Sequence, residues 1–164
     1  MTPPETSSRA AGNSARPILV YGVGNPGRQD DGLGPALVEQ LEAWAQAEKM
    51  SGVAFDSNYQ LNAEDALAVA ESREVVFVDA AKEGEAPFAF RKLAPQKEIS
   101  FSTHAMPPES VLALADELYG ARPPAWILAI RGESWEPNEP PTAAALSHLA
   151  AAREFLKDWL RNER

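Results

Sequence analysis

The chain has 164 residues, enough for one domain with a sizeable core, and 24 acids against 15 bases leave a net charge of −9. That balance argues against a nucleic-acid or anionic-membrane surface, since both need a basic footprint. With no cysteine, disulfides, thiolate metal sites and a cysteine nucleophile are excluded, and no apolar run approaches the roughly 18 residues that span a bilayer.

Met1 to Arg16 is polar and lacks the apolar core of a secretory signal. It is expected to be a disordered extension (residues 1–16), followed by a single domain over 17–164. Ile18 to Val23 is an apolar run that reads as a buried strand. The stretch Gly22-Val23-Gly24-Asn25-Pro26-Gly27-Arg28-Gln29-Asp30-Asp31-Gly32-Leu33-Gly34 then forms a glycine-rich turn leading into a helix. That helix is expected to begin at Asp30 or Asp31, with Leu33, Leu37, Leu41 and Trp44 on one face and Gly52 ending the unit. Val53 to Phe55 reads as a strand ending at Asp56, and Tyr59 to Asn62 as a loop whose Asn62 caps a helix over Ala63 to Ala70.

Val75 to Val78 is the clearest strand and ends at Asp79, and Phe88 to Leu93 is a further strand candidate. Ser100 to His104 reads as a loop or strand end, and Pro107-Pro108 opens a helix through Val111, Leu114 and Leu118 that Gly120 closes. Trp126 to Ile130 is another buried strand, Gly132 to Pro141 a proline- and acid-rich loop, and Thr142 to Leu160 the final helix. Strands alternating with helices predict an α/β chain, a three-layer α/β/α sandwich around a mostly parallel twisted sheet of about five strands. Ligands in such sheets bind outside the carboxyl ends of the strands. That rule gathers Asp30, Asp31, Asp56, Asp79 and Glu133, and His104 could reach the same rim.

Gly22, Gly24 and Gly27 match G-x-G-x-x-G between a strand and a helix, the dinucleotide-binding context. A pyrophosphate needs free backbone N–H groups and a positive helix N-terminus. Here Pro26 removes a donor, Asp30 and Asp31 place negative charge at the site, and Asp56 lies 29 residues after Gly27, beyond the acid expected about 20 residues on. The same carboxylates suit a cation, but one of them also suits a helix cap, and spacing alone does not choose. Asp56 reads as a turn acid, and His148 as surface or packing. His104 with two strand-end carboxylates would offer one nitrogen and two oxygens to a divalent transition metal. There is no G-x-S-x-G elbow, and Ser102 beside His104 does not by itself make a nucleophile–base pair.

These residues resemble the hydrogenase maturation protease family, the endopeptidases that remove a C-terminal extension from the large subunit of nickel–iron hydrogenases. Gly22-Val23-Gly24-Asn25 followed by Asp30-Asp31-Gly32-Leu33-Gly34 is similar to the family's G-x-G-N…D-[DE]-x-x-G signature. Val76-Phe77-Val78-Asp79-Ala80 resembles its apolar strand ending in Asp-Ala, Ser102-Thr103-His104 its histidine segment, and Glu133-Ser134-Trp135-Glu136-Pro137 its Glu-Ser-x-Glu-Pro loop. The resemblance runs from about residue 17 to the end. The family's usual Asp-Gly-Gly-Thr is absent, and Tyr59-Gln60-Leu61-Asn62-Ala63-Glu64-Asp65 stands there instead.

The resemblance implies that Asp31, Asp79 and His104 are the metal-contacting and catalytic set, and leaves Asp30 as the helix cap. Gly24, Asn25, Gln60 and Glu133 are the implied substrate contacts. The metal is nickel carried by the substrate, and the partner is a nickel–iron hydrogenase large-subunit precursor. The resemblance further implies a monomeric cytoplasmic enzyme acting after nickel insertion, with no nucleic-acid or membrane partner. The competing reading is a non-enzymatic Rossmann-like module that binds a nucleotide or a hydrogenase assembly partner.

Overall fold

In the first strand, β1 (Ile18–Val23), alternate residues face opposite sides of the sheet. Ile18 and Val20 join one apolar cluster, and Leu19 and Tyr21 the other. The computed structural model, which describes residues 15–96 and 106–163, builds a three-layer sandwich on this split. Five strands pair in the order β2-β1-β3-β5-β4, with β2 at Val53–Asn58, β3 at Glu74–Ala81, β4 at Phe88–Leu93 and β5 at Ala125–Arg131. All neighbours are parallel except β4, which runs antiparallel to β5 at the edge.

Helices α1 (Leu33–Ala47) and α4 (Ala143–Glu163) cover the Ile18/Val20 face. Helices α2 (Asp65–Ala70) and α3 (Pro108–Tyr119) cover the other. Leu33, Leu37 and Leu41 of α1 are buried against β1 and β3, and Leu149, Leu156 and Leu160 of α4 are buried in the same core, where α4 packs on β5, β4 and α1. Each recurs at three-, four- or seven-residue spacing, as a one-sided apolar stripe requires. Antiparallel β4 is held to α4 by aromatic packing. Phe90 lies 5.0 Å from both Trp126 and Phe155 between ring centroids, and 5.7 Å from Trp159.

Several boundaries differ from the sequence expectation. The turn after β1 first closes as a 3-10 helix over Gln29–Gly32, and α1 begins only at Leu33. Strand β2 runs past Asp56 to Asn58, and β3 past Asp79 to Ala81. Asp79 therefore sits inside a paired strand, opposite Ala129 of β5. Asn62 does not cap α2. Its backbone N–H donates to Asp65 Oδ2 at 2.7 Å, so the carboxylate inside the helix stabilises the residue before it. Gly120 closes α3 with φ at 65°, a left-handed conformation that glycine adopts without a Cβ clash. The expected extension, apart from Ala15 and Arg16, and the Ser100–His104 segment fall outside the described residues.

The chain crosses from the β2 side of β1 to the β3 side, which makes the β1/β3 junction the topological switch point. A crevice is expected there, outside the carboxyl ends of the strands. Every candidate rim residue within the described part of the chain leads to that end of the sheet.

Candidate functional site

The glycine-rich turn is folded tightly onto the carboxyl end of β1. A Cβ on Gly34 would lie 2.5 Å from the Val78 carbonyl oxygen and 2.6 Å from that of Val23. The start of α1 can therefore rest directly on the ends of β1 and β3. Gly24 has φ at 146°, and a Cβ there would meet the Asp31 carbonyl oxygen at 1.9 Å. These two glycines allow the approach that brings the Asp31 backbone over the end of the sheet.

Within the turn, the Asp31 carboxylate folds back and accepts the Asn25 N–H at 2.9 Å. Asn25 Oδ1 accepts the Gly27 N–H at 2.9 Å, and the Asn25 carbonyl accepts the Arg28 N–H. The Gly24 N–H is given to Asn58 O of the neighbouring strand end. Pro26 has none to give. Each N–H from Gly24 to Arg28 is thus committed inside the fold, leaving no cradle of free donors for a pyrophosphate. The dinucleotide pattern Gly22, Gly24, Gly27 is here a packing device.

Asp79 points to the same rim from β3. One of its oxygens accepts the Ala80 N–H at 2.8 Å. Burial pushes its carboxyl up to about 7, the Ala80 N–H pulls it down, and the negative charge of Asp31 pushes it further up. That mutual repulsion brings the two sequence-predicted acids into one electrostatic site. Asp31 Oδ1 and Asp79 Oδ2 have no hydrogen-bond partner among the described residues. Two half-satisfied carboxylates that repel each other suit a hard or borderline cation.

Asp30 does something the sequence did not disclose. It caps no helix: the side chain makes no capping bond to α1 and is 0% exposed. Its Oδ2 accepts the N–H groups of Glu133 at 2.7 Å and Ser134 at 3.1 Å, and the Thr142 hydroxyl at 2.8 Å. Its Oδ1 accepts the Thr142 N–H at 2.8 Å. Burial opposes the charge, but the donors from Glu133, Thr142 and Ser134 outweigh it and hold the carboxyl below its ordinary value. The expectation that Asp30 caps a helix is corrected for this reason. Thr142 provides the cap for α4 instead, its hydroxyl accepting the Ala145 N–H at 3.2 Å.

Glu133 is exposed two residues beyond β5, and Gln60 is exposed just beyond β2. Both lie at the carboxyl edge with Gly24 and Asn25. His104 lies outside the described residues, and among those residues no group of three metal-ligating side chains is assembled. Asp56 is engaged locally, accepting the Ser57 N–H at 2.8 Å. His148, on α4, packs with its Nδ1 2.8 Å from the Arg131 carbonyl oxygen. Among the described residues no helix is long and apolar enough to cross a membrane.

By sequence alone the chain matches no family model and no curated protein. By structure it is similar to the NiFe hydrogenase maturation protease HycI from Thermococcus kodakarensis KOD1. The TM-score is 0.69 at 23% identity, over 94% of this chain and 99% of the other. It is also similar to the hydrogenase maturating endopeptidase HybD from Escherichia coli, with a TM-score of 0.64 at 23% identity over 89% and 93% of the two chains. The endopeptidase HycI from the same organism aligns with a TM-score of 0.62 at 22% identity, over 87% of this chain and 90% of its own. Near-complete coverage in both directions, with the acidic rim at the expected switch point, leads to one conclusion: the chain has the fold of the hydrogenase maturation proteases.

Proposed function

We propose that the chain is an endopeptidase that removes the C-terminal extension of a nickel–iron hydrogenase large-subunit precursor, and that it recognises nickel already installed in that substrate. The observation that carries the reading is the pairing of Asp31 and Asp79 at the β1/β3 switch point. There, burial and the Asp31 charge push the Asp79 carboxyl up to about 7. A precursor-borne cation relieves that repulsion, so the site gains most from a loaded substrate.

Asp31 and Asp79 each offer a carboxylate oxygen to the substrate's nickel, and His104 is proposed as the nitrogen donor beside them. Substrate ligands complete the coordination, which makes the metal a recognition mark that an unloaded precursor lacks. A Lewis acid held against the scissile peptide can polarise its carbonyl or lower the pKa of attacking water. This chemistry needs no Ser or Cys nucleophile. Gly24 and Asn25 form the floor on which the peptide lies, and Gln60 and Glu133 flank it. Cytoplasmic action and a monomeric enzyme are part of the same proposal.

The test is a processing assay with purified precursor. Nickel-loaded precursor should be shortened at its C-terminus, and Asp79→Ala or His104→Ala should lower the rate by at least about 100-fold, the scale on which removing a transition-state contact acts. Equal cleavage of loaded and nickel-free precursor would contradict the recognition mechanism.

A further inference from the structure

Both ends of the loop between β5 and α4 meet a single carboxylate. Asp30 accepts Glu133 and Ser134 N–H groups where the loop begins, and the Thr142 N–H and hydroxyl where it ends. The middle is strapped to the same turn. Asn138 donates its N–H to the Gly27 carbonyl at 2.8 Å, and Glu136 donates to Gln29 Oε1 at 3.1 Å. The Asp30 N–H closes the pairing by donating to the Ser134 carbonyl at 3.1 Å. Within the loop, a Cβ on Gly132 would lie 2.9 Å from Asp30 Cβ and 3.1 Å from the Trp135 ring. Lys82, one residue beyond β3, sits 5.4 Å above that ring.

We propose that Asp30 is a positioning residue for precursor recognition: it fixes the Gly132–Thr142 loop as a rigid wall of the cleft beside Asp31. This rests on the reading of function given above. Asp30 is sealed from solvent, so it acts on the substrate only through the loop it holds. Glu133, Glu136 and Glu139 of that loop are exposed and free to meet the precursor. A loop already ordered need not be ordered again when the substrate docks, so the conformational cost of binding falls. Its effect belongs in KM alone, whereas Asp31 and Asp79, which meet the substrate's metal, also act in kcat.

Asp30→Asn removes the charge and sets an amide NH2 among backbone N–H donors, leaving buried polar groups unpaired. Amide hydrogen exchange by NMR should show Glu133, Ser134 and Thr142 exchanging at least about tenfold faster, the scale of a lost charged hydrogen bond. In the processing assay KM should rise by about tenfold with kcat within about threefold of wild type. Thr142→Val, which removes one of the four donors, should shift both readouts in the same direction, and Thr142→Ser should restore them. Thr142→Val also decides the matter if Asp30→Asn does not fold.

Unchanged loop exchange in Asp30→Asn would overturn the proposal, as would a loosened loop with unchanged KM. A fall in kcat at constant KM would equally overturn it, because Asp30 would then act on Asp31 rather than on the loop. If the wild-type protein cleaves no precursor, the reading of function fails, while the exchange experiment still decides whether Asp30 holds the loop.

Discussion

Asp79 is kept in a place that its own charge opposes. Burial raises its carboxyl to about 7 from 3.8, and Asp31 adds to the shift. The folded protein therefore binds a proton at Asp79 that the unfolded chain releases. The sign follows: stability contributed by this group is fully present below about pH 4 and is lost as pH rises through about 7. Asp79→Asn should remove that loss. At pH 8 the variant is expected to be more stable than wild type by on the order of 1–2 kcal/mol, after discounting the shift for solvent screening, while its processing activity is abolished. Thermal unfolding of both proteins at pH 4 and pH 8 checks this, and the stabilisation should shrink steadily towards the lower pH. Asp30 has the opposite sign. Its carboxyl is held below 3.8, so its contribution is present above that value and lost in acid. The two neighbouring acids of the turn were indistinguishable in the sequence as cap and ligand. Only the family resemblance singled out Asp31 as the proposed ligand. The role of Asp30 could not be read, because its partners lie 103 to 112 residues away and nothing local announces them.

At the scale of elements, the strands were legible because each is a short apolar run between turn residues: β1 and β4 have the expected bounds, and β3 and β5 contain the expected runs and extend beyond them. The errors gather where a polar side chain could serve two purposes. Asn62 and Asp30 are both good capping residues by type, yet tertiary partners claimed Asp30 and the helix claimed Asp65 instead of Asn62. The start of α1 was misplaced for a related reason. Close contact with the ends of β1 and β3 forces the chain through a 3-10 turn before it can enter an α-helix at Leu33. Gly34→Ala tests that contact. Its Cβ would meet backbone oxygens of Val78 and Val23 at 2.5 and 2.6 Å, which cannot move aside without disturbing the sheet. Urea denaturation should show a loss of about 1–3 kcal/mol, the usual cost of overpacking. Gly52→Ala is the contrast, with nothing within 4 Å but φ at 82°, and its cost of about 1–2 kcal/mol comes from backbone conformation alone.

Across the whole molecule, sheet order and the chain's reversal at the β1/β3 junction bring Asp31 and Asp79 together from positions 48 residues apart in sequence. The sandwich layers supply rigidity: Ile18 and Val20 are locked by α1 and α4, Leu19 and Tyr21 by α2 and α3. A sheet packed on both faces is a rigid support for the strand ends, which is what the proposed cation site requires. Asp31, Asp79 and His104 are proposed to converge on one divalent ion. The most direct measurement is anomalous diffraction at the nickel edge from crystals of the protein soaked in nickel. A single peak is expected about 2.0–2.2 Å from carboxylate oxygens of both Asp31 and Asp79, with His104 supplying a nitrogen. A peak that touches only one of the two acids, or that sits elsewhere on the molecule while the β1/β3 rim stays empty, would contradict that proposal.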